Sequence, residues 1–204
     1  MIIARPMPAR GPWIATIDGG LWYPHNPSPD DLTIASFEAL AYVNRFGGHA
    51  RDYSVAQHSL LVAMAMAKDG LRPEAVLLGL VHDAHEIFPP GDVPSPIKRQ
   101  GSRLDKTASA LNELEARAMA VVRQFLMHGI VVTADDEAAV KAYDMAALGT
   151  EARAFFGYDP TNSDHVAVWG DLPELSTNLS VVDSSPSMTF DAWLVMYDLL
   201  IDRL

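Results

Sequence analysis

The 204-residue sequence predicts an all-α fold of about six helices, with room for a small β element in its N-terminal segment. Two observations favour this class. Apolar residues recur at the three-to-four-residue spacing of amphipathic helices over most of the chain. Capping residues, a proline in a first turn and glycines after last turns bracket these stretches. We expect a single domain over 1–204, with 1–32 as an extension packed on it.

The N-terminal part of the chain predicts a strand or hairpin followed by a first helix. Short extended stretches at 13–17 and 21–23 lie among prolines and glycines, which is typical of short strands joined by turns. Thr33 then opens a predicted helix, and the pair Gly47 and Gly48 ends it.

The next two predicted helices begin with clear signals. Ser54 and Gln57 form a capping box at the start of a helix over 55–68. Pro73, in a first turn, begins a helix that we expect to continue to Phe88. This helix is apolar on every side before its polar residues appear, which indicates a position in the centre of the protein.

The second half of the chain predicts long helices with one loop between them. An amphipathic helix is expected over 102–127 and another over 133–156, which Thr133 and acidic residues start. Residues 157–188 have no hydrophobic period and read as an ordered surface loop. A final amphipathic helix is expected over 189–203.

Charge and composition exclude several classes of function. The net charge of −11 argues against nucleic acid or an anionic membrane as the main partner, because both would repel the protein. A small phosphorylated substrate remains compatible with it. The chain has no cysteine, and therefore no disulfide, thiolate zinc site or thiol nucleophile. With no long apolar run in the sequence, we expect a cytoplasmic protein.

Ionisable residues occupy positions that the helical period assigns to the interior. His82 and Asp83 interrupt the apolar central helix, His58 lies on the inward stripe of 55–68, and Asp144 shares a face with apolar residues of 133–156. Burying an ionisable group of this kind without a partner costs on the order of several kcal/mol. Two imidazoles and two carboxylates suit a divalent transition metal, which would provide that partner.

Two segments resemble the HD superfamily of metal-dependent phosphohydrolases, whose ligand pattern is H…HD…D. They are NRFGGHARDYSVAQHSLLVAMAMA at 44–67 and VHDAHEIFPPGDVPSPIK at 81–98. The closest likeness is to bacterial 5′-deoxynucleotidases and phage-type deoxynucleotide hydrolases of that superfamily. The resemblance implies an HD-type helical bundle.

The resemblance also implies the reaction and its central residues. The metal ligands would be His58, His82, Asp83 and Asp144, with Asp83 thereby part of the catalytic machinery. Glu86 would orient or deprotonate the metal-bound water that attacks phosphorus. The ion would be one divalent transition metal, and zinc, cobalt, manganese, nickel and iron all fit these ligand types.

Further residues match the substrate contacts of the family. Arg45 would bind a phosphate oxygen, Asp92 the sugar hydroxyl, and Lys98 a phosphate, while His49 is a further substrate candidate near Arg45. Phe46 stands where the deoxynucleotidases have a tryptophan that helps to shape the pocket. The loop before Asp92 is also one residue longer here, which would move Asp92.

The sequence therefore predicts a hydrolase of a small nucleotide, most simply a deoxynucleoside 5′-monophosphate or triphosphate. A cyclic-nucleotide phosphodiesterase and an alarmone hydrolase are alternatives within the same chemistry, although Ile87 replaces the second acidic residue of the alarmone enzymes. A metal-containing nucleotide sensor without catalysis is an alternative of another class. Nucleic acid and membrane are not expected partners, and the resemblance implies a homodimer.

Overall fold

The computed structural model describes residues 10–94, 105–176 and 184–204. It is mostly helical, with one small antiparallel sheet of two strands, as the sequence predicts. The strands are β1 (Ile14–Ala15) and β2 (Leu21–Trp22). The α-helices are α1 (Val55–Lys68), α2 (Pro73–Val81), α3 (Asp105–Leu126), α4 (Ala134–Phe156), α5 (Ser163–Trp169) and α6 (Pro186–Ile201). Shorter 3₁₀ segments are Pro29–Asp31, Ile34–Ala41, Arg45–Gly48 and Ala84–Ile87.

The centre of the protein is the pair α1 and α2, which pack against each other and are both in contact with α4 and α6. Leu77, Leu78 and Leu80 of α2 are completely buried, because this helix is apolar on all sides and is covered all round. Trp193 of α6 is also fully buried and donates its indole N–H to the carbonyl of Leu80 at 3.3 Å. The predicted central position of this helix is confirmed.

The N-terminal hairpin packs on the helical body. Ile14 pairs with Trp22 in the antiparallel ladder, and the Trp22 ring stacks on Phe88 with centroids 3.7 Å apart. Asp18, in the turn between the strands, accepts hydrogen bonds from Thr33 and Ser36, the latter at 2.9 Å. These contacts connect the hairpin to the beginning of Ile34–Ala41.

The central helix is shorter than the sequence predicts. It ends at Val81, and His82 and Asp83 lie in a turn between α2 and the 3₁₀ segment Ala84–Ile87. The expectation of an unbroken helix to Phe88 is therefore wrong. The side chain of His82 explains the break, since its Nδ1 contacts the Gly79 carbonyl at 2.7 Å and occupies an acceptor that the next helical N–H would use.

Two other elements differ from the sequence prediction. The stretch after Thr33 forms two 3₁₀ segments, with Phe46 and Gly47 at positive φ (57° and 61°), instead of one α-helix. The predicted loop 157–188 contains α5, and α6 already begins at Pro186 behind the Ser185 cap. Within the described ranges, no helix is both long enough and apolar enough to span a bilayer.

Candidate metal centre

His58 enters the site from the first part of α1. The capping box is present as predicted, with Ser54 accepting from the Gln57 backbone N–H at 3.3 Å and the Gln57 side chain accepting from the Ser54 N–H at 2.8 Å. This fixes the start of α1, so that His58 lies one turn inside the helix with no solvent exposure.

His82 and Asp83 enter at the end of α2. The His82 ring is oriented by its Nδ1 contact with the Gly79 carbonyl, which leaves Nε2 directed away from its own helix. Asp83 follows immediately and brings Oδ2 to 3.3 Å from this Nε2. The turn that ends the helix therefore presents two ligand atoms side by side.

Asp144 completes the group from the middle of α4. Its Oδ1 lies 3.3 Å from His58 Nε2 and 3.8 Å from His82 Nε2. Its Oδ2 accepts from the exposed Lys141 on the same helix at 2.9 Å. The sequence prediction that Asp144 meets the two imidazoles is confirmed by this geometry.

Candidate ligand atoms of His58, His82 and Asp144 thus lie close together, and Asp83 Oδ2 lies beside the two imidazoles. The Nε2 atoms of His58 and His82 are 3.3 Å apart, and Asp83 Oδ2 is 3.8 Å from His58 Nε2. Donor atoms bound about 2.1 Å from a common ion lie roughly 3.0–3.4 Å apart when they are neighbours in an octahedron or tetrahedron. The 3.3 Å separations fall in this range and the 3.8 Å separations are somewhat longer. The donor types suit a divalent cation, and the group His58, His82 and Asp144 could hold one.

The electrostatics of the group also favour a cation. Burial lowers the pKa of His82, but Asp83 and Asp144 outweigh burial and raise that pKa to about 10. Burial raises the pKa of both carboxyl groups, but the two imidazoles bring both well below the ordinary value. Two ionised carboxylates at one half-buried point therefore create a field that stabilises positive charge there.

Glu151 is a part of the site that the sequence reasoning missed. It is completely buried on α4, and its Oε1 lies 2.5 Å from His58 Nδ1 and accepts from the Tyr53 hydroxyl at 2.9 Å. Burial raises the pKa of Glu151, but His58 and Arg45 lower it below its ordinary value. Its position seven residues after Asp144, on the same helix face, is the signal that could have identified it.

Arg45 lies beside the candidate ligands, and its predicted contact with a phosphate stays a prediction. An antiparallel bridge between Asn44 and Ser54 holds it at the start of α1. Its Nη1 is 3.4 Å from Asp83 Oδ2 and its Nη2 is 3.3 Å from Glu151 Oε2. Burial lowers the pKa of Arg45, but Glu151 and Asp83 raise it above the ordinary value, so the guanidinium is charged.

Phe46 and Asp92 are far apart in the sequence but are connected by a hydrogen bond in the structure. The Phe46 backbone lies in the left-handed region (φ 57°), and its N–H donates to Asp92 Oδ2 at 2.8 Å. The Phe46 ring contacts Phe156 and Trp169, with centroids 5.1 and 6.5 Å away. One carboxylate oxygen of Asp92 therefore holds the loop that carries Arg45, and its predicted contact with a sugar stays a prediction.

The remaining predicted residues occupy different positions. Glu86 is buried on the 3₁₀ segment after Asp83, close enough to Arg45 to contribute to raising its pKa. His49 is exposed at the end of the Arg45 loop. Lys98 lies outside the described residues.

Comparison with known proteins identifies a relative of this chain. No protein-family model matches the chain. An uncharacterized protein of Rhodobacter capsulatus is 31% identical to it over 147 residues, which are 69% of this chain and 71% of the relative. The shared part therefore makes up most of both proteins.

Proposed function

We propose that this chain, which belongs to the same family as the uncharacterized Rhodobacter capsulatus protein, is a metal-dependent phosphohydrolase with an HD-type helical domain. The observation that carries the proposal is the close approach of His58 from α1, His82 from the end of α2 and Asp144 from α4, with Asp83 beside the two imidazoles. The H…HD…D order of these residues and their resemblance to the HD phosphohydrolases support it.

His58, His82, Asp83 and Asp144 would hold the ion. A divalent metal supplies two things to phosphoester hydrolysis: it lowers the pKa of a bound water from about 15.7 to roughly 7, and it neutralises developing phosphoryl charge. The ligands contribute two negative charges, which balance the charge of a divalent cation. With Asp83 bound to the ion, Arg45 would keep its pairing with Glu151 and could also bind an anionic substrate.

Glu86 is the proposed proton acceptor for the attacking water. Glu86 follows Asp83 by three residues, and its N–H donates to the Asp83 carbonyl at 3.0 Å. This bond keeps Glu86 next to the turn that contains His82 and Asp83. A buried carboxylate near the reacting atoms can accept the proton that the nucleophile loses and return it to the leaving oxygen. Replacing it should therefore stop turnover without removing a ligand.

Arg45 is the proposed contact to the phosphate. Its guanidinium can form paired hydrogen bonds with two phosphate oxygens, and a weakly hydrated, permanently charged donor is favoured at such positions. Both of its terminal nitrogens are more than 3.2 Å from their present carboxylate partners, so these bonds are long enough to be exchanged for shorter ones with a substrate.

The proposed substrate class is a deoxynucleoside 5′-monophosphate or triphosphate. Support comes from the resemblance of the segments around Arg45 and Asp92 to deoxynucleotide hydrolases. The hydrogen bond from the Phe46 N–H to Asp92 places an aromatic ring and a carboxylate close to Arg45. A nucleoside would be held between them. Homodimerisation and a cytoplasmic location stay predictions.

The test is a product analysis with defined metals. Metal-free protein is reconstituted separately with zinc, manganese, cobalt, nickel and iron, and incubated with ribo- and deoxynucleoside mono- and triphosphates. Inorganic phosphate released from monophosphates, or triphosphate released from deoxynucleoside triphosphates, would support the proposal and identify the subclass. Absence of any phosphoester cleavage with all five metals would overturn it.

Two variants distinguish a hydrolase, which needs Glu86 for turnover, from a metal-containing nucleotide sensor, which does not. Glu86→Gln should lose at least about a hundredfold in kcat, the usual contribution of a general base, while still binding the metal. Glu113→Gln, an exposed carboxylate on α3, is the matched control and should keep wild-type kcat. A Glu86→Gln protein with unchanged turnover would show that Glu86 is not the proton acceptor.

A further inference from the structure

We infer that Glu151 is a positioning residue of the metal centre: its buried carboxylate holds His58 with Nδ1 protonated, so that Nε2 is presented to the ion. This inference rests on the proposed metal site and adds a fifth residue to it. Neither the H…HD…D pattern nor the resemblance assigns a role to this position.

The first argument is the geometry of the His58 ring. Nδ1 lies 2.5 Å from Glu151 Oε1, whereas Nε2, across the ring, lies 3.3 Å from Asp144 Oδ1 and 3.3 Å from His82 Nε2. An ionised carboxylate can only accept a hydrogen bond, so Nδ1 must carry the proton. The lone pair of Nε2 is then available to the cation.

The second argument is how firmly Glu151 itself is held. It is completely buried, and its two oxygens receive donors from three directions: His58, the Tyr53 hydroxyl at 2.9 Å and Arg45 Nη2 at 3.3 Å. These donors fix the carboxylate plane, which in turn fixes the His58 ring. A carboxylate on a ligating imidazole also increases the basicity of the ligand nitrogen.

The third argument is the equivalent arrangement at the other imidazole. His82 Nδ1 contacts the Gly79 carbonyl at 2.7 Å and also leaves Nε2 for the ion. Both histidines are thus oriented through Nδ1, one by a backbone carbonyl and the other by a side chain. Only the second of these supports can be removed by substitution, which makes Glu151 testable.

A purely structural role predicts something different. On that view Glu151 only balances the buried charge of Arg45, and its loss would lower stability but leave the metal affinity of the folded protein unchanged. The two roles therefore differ in the dissociation constant for metal, measured on protein that remains folded.

The experiment titrates metal-free protein with Zn²⁺ against a competing chelator. Glu151→Gln keeps the size of the side chain and removes its charge, and we expect its zinc affinity to fall about 10- to 100-fold. Glu137→Gln makes the same change at an exposed carboxylate on the same helix, away from His58, and is the matched control, with unchanged zinc affinity expected. Circular dichroism establishes that each variant is folded.

A second measurement needs no variant. In zinc-loaded protein with ¹⁵N-labelled histidine, we expect the His58 ring to show a protonated, slowly exchanging Nδ1 and zinc on Nε2. Zinc on Nδ1 would overturn the inference, and so would a folded Glu151→Gln protein with wild-type zinc affinity. Zinc binding with these properties but without nucleotide cleavage would overturn the proposed function alone.

Discussion

At Gly149, five residues beyond Asp144, the segment after α5 comes very close to α4. A Cβ added at this glycine would lie 1.8 Å from the carbonyl oxygen of Pro173. The segment after α5 can therefore pack against α4 only because residue 149 has no side chain. The absence of a side chain at residue 149 thus allows this segment to pack on the helix that carries Asp144 and Glu151.

We predict that Gly149→Ala destabilises the protein by at least about 2 kcal/mol. Alanine is intrinsically better in a helix by about 1 kcal/mol, but the overlap with a backbone atom outweighs this gain. Urea unfolding followed by circular dichroism measures the change. A midpoint equal to or above that of the wild type would show that the Pro173 backbone moves away at no cost.

At the level of single residues, the sequence singles out the proposed ligands better than the residues that support them. His58, His82, Asp83 and Asp144 stand out because each is a polar residue at an inward position of an apolar pattern. Glu151 does not stand out, since α4 is rich in acidic residues and only the packing of α4 on α1 brings its carboxylate to His58 Nδ1. The helix face that Glu151 shares with Asp144 is a local signal, but the contact with His58 itself depends on tertiary structure.

At the level of elements, predictions succeed where local hydrogen bonds decide and fail where long-range contacts do. The capping boxes at Ser54 and Thr133 set the starts of α1 and α4 as predicted, because cap and partner are three residues apart. The end of α2 is different: no proline or glycine stops it, and the His82 ring takes the Gly79 carbonyl instead. In contrast, the Asn162 cap and the glycine after Trp169 do signal α5, but its seven residues show no inward stripe.

The contact between the hairpin and Ile34–Ala41 gives a prediction for a second variant. Burial raises the pKa of Asp18, but hydrogen bonds from Thr16, Thr33 and Ser36 outweigh it and lower that pKa to about 2. Asp18→Asn should therefore lower the free energy of unfolding by about 1 kcal/mol at pH 7, after allowance for solvent screening of this exposed group.

The same pKa fixes how the Asp18 contribution depends on pH. Because the pKa is lower in the folded state, the stabilisation is complete above the unfolded pKa near 4 and is lost as pH falls toward about 2. Denaturant unfolding of both proteins between pH 7 and pH 2.5 measures the difference, which should narrow in the acid range. If the two proteins differ by the same free energy of unfolding at every pH in this range, the charge of Asp18 does not stabilise the contact between the hairpin and Ile34–Ala41.

At the scale of the whole molecule, the candidate site joins α1, α2 and α4, so that ligand binding must stabilise their packing. Metal at a hundredfold excess over its dissociation constant should add about 2.7 kcal/mol. For a chain of this size we expect the Tm to rise by about 5–10 °C. Differential scanning calorimetry of chelator-treated and metal-loaded protein measures this shift.

Matched asparagine variants of α4 show whether the shift comes from this site. Asp144→Asn removes a ligand and should abolish most of the increase in Tm. Asp135→Asn, exposed in the first turn of the same helix, should retain it. Equal shifts in both variants would place the bound metal elsewhere.

The site draws its parts from distant positions in the chain, and Glu151 follows His58 by 93 positions. During synthesis, both histidines leave the ribosome well before α4 does. At the proposed metal site, a nascent chain would therefore present only part of the ligand set before α4 is made. On the proposed function, the complete geometry that selects the ion would exist only once α4 has packed on α1 and α2.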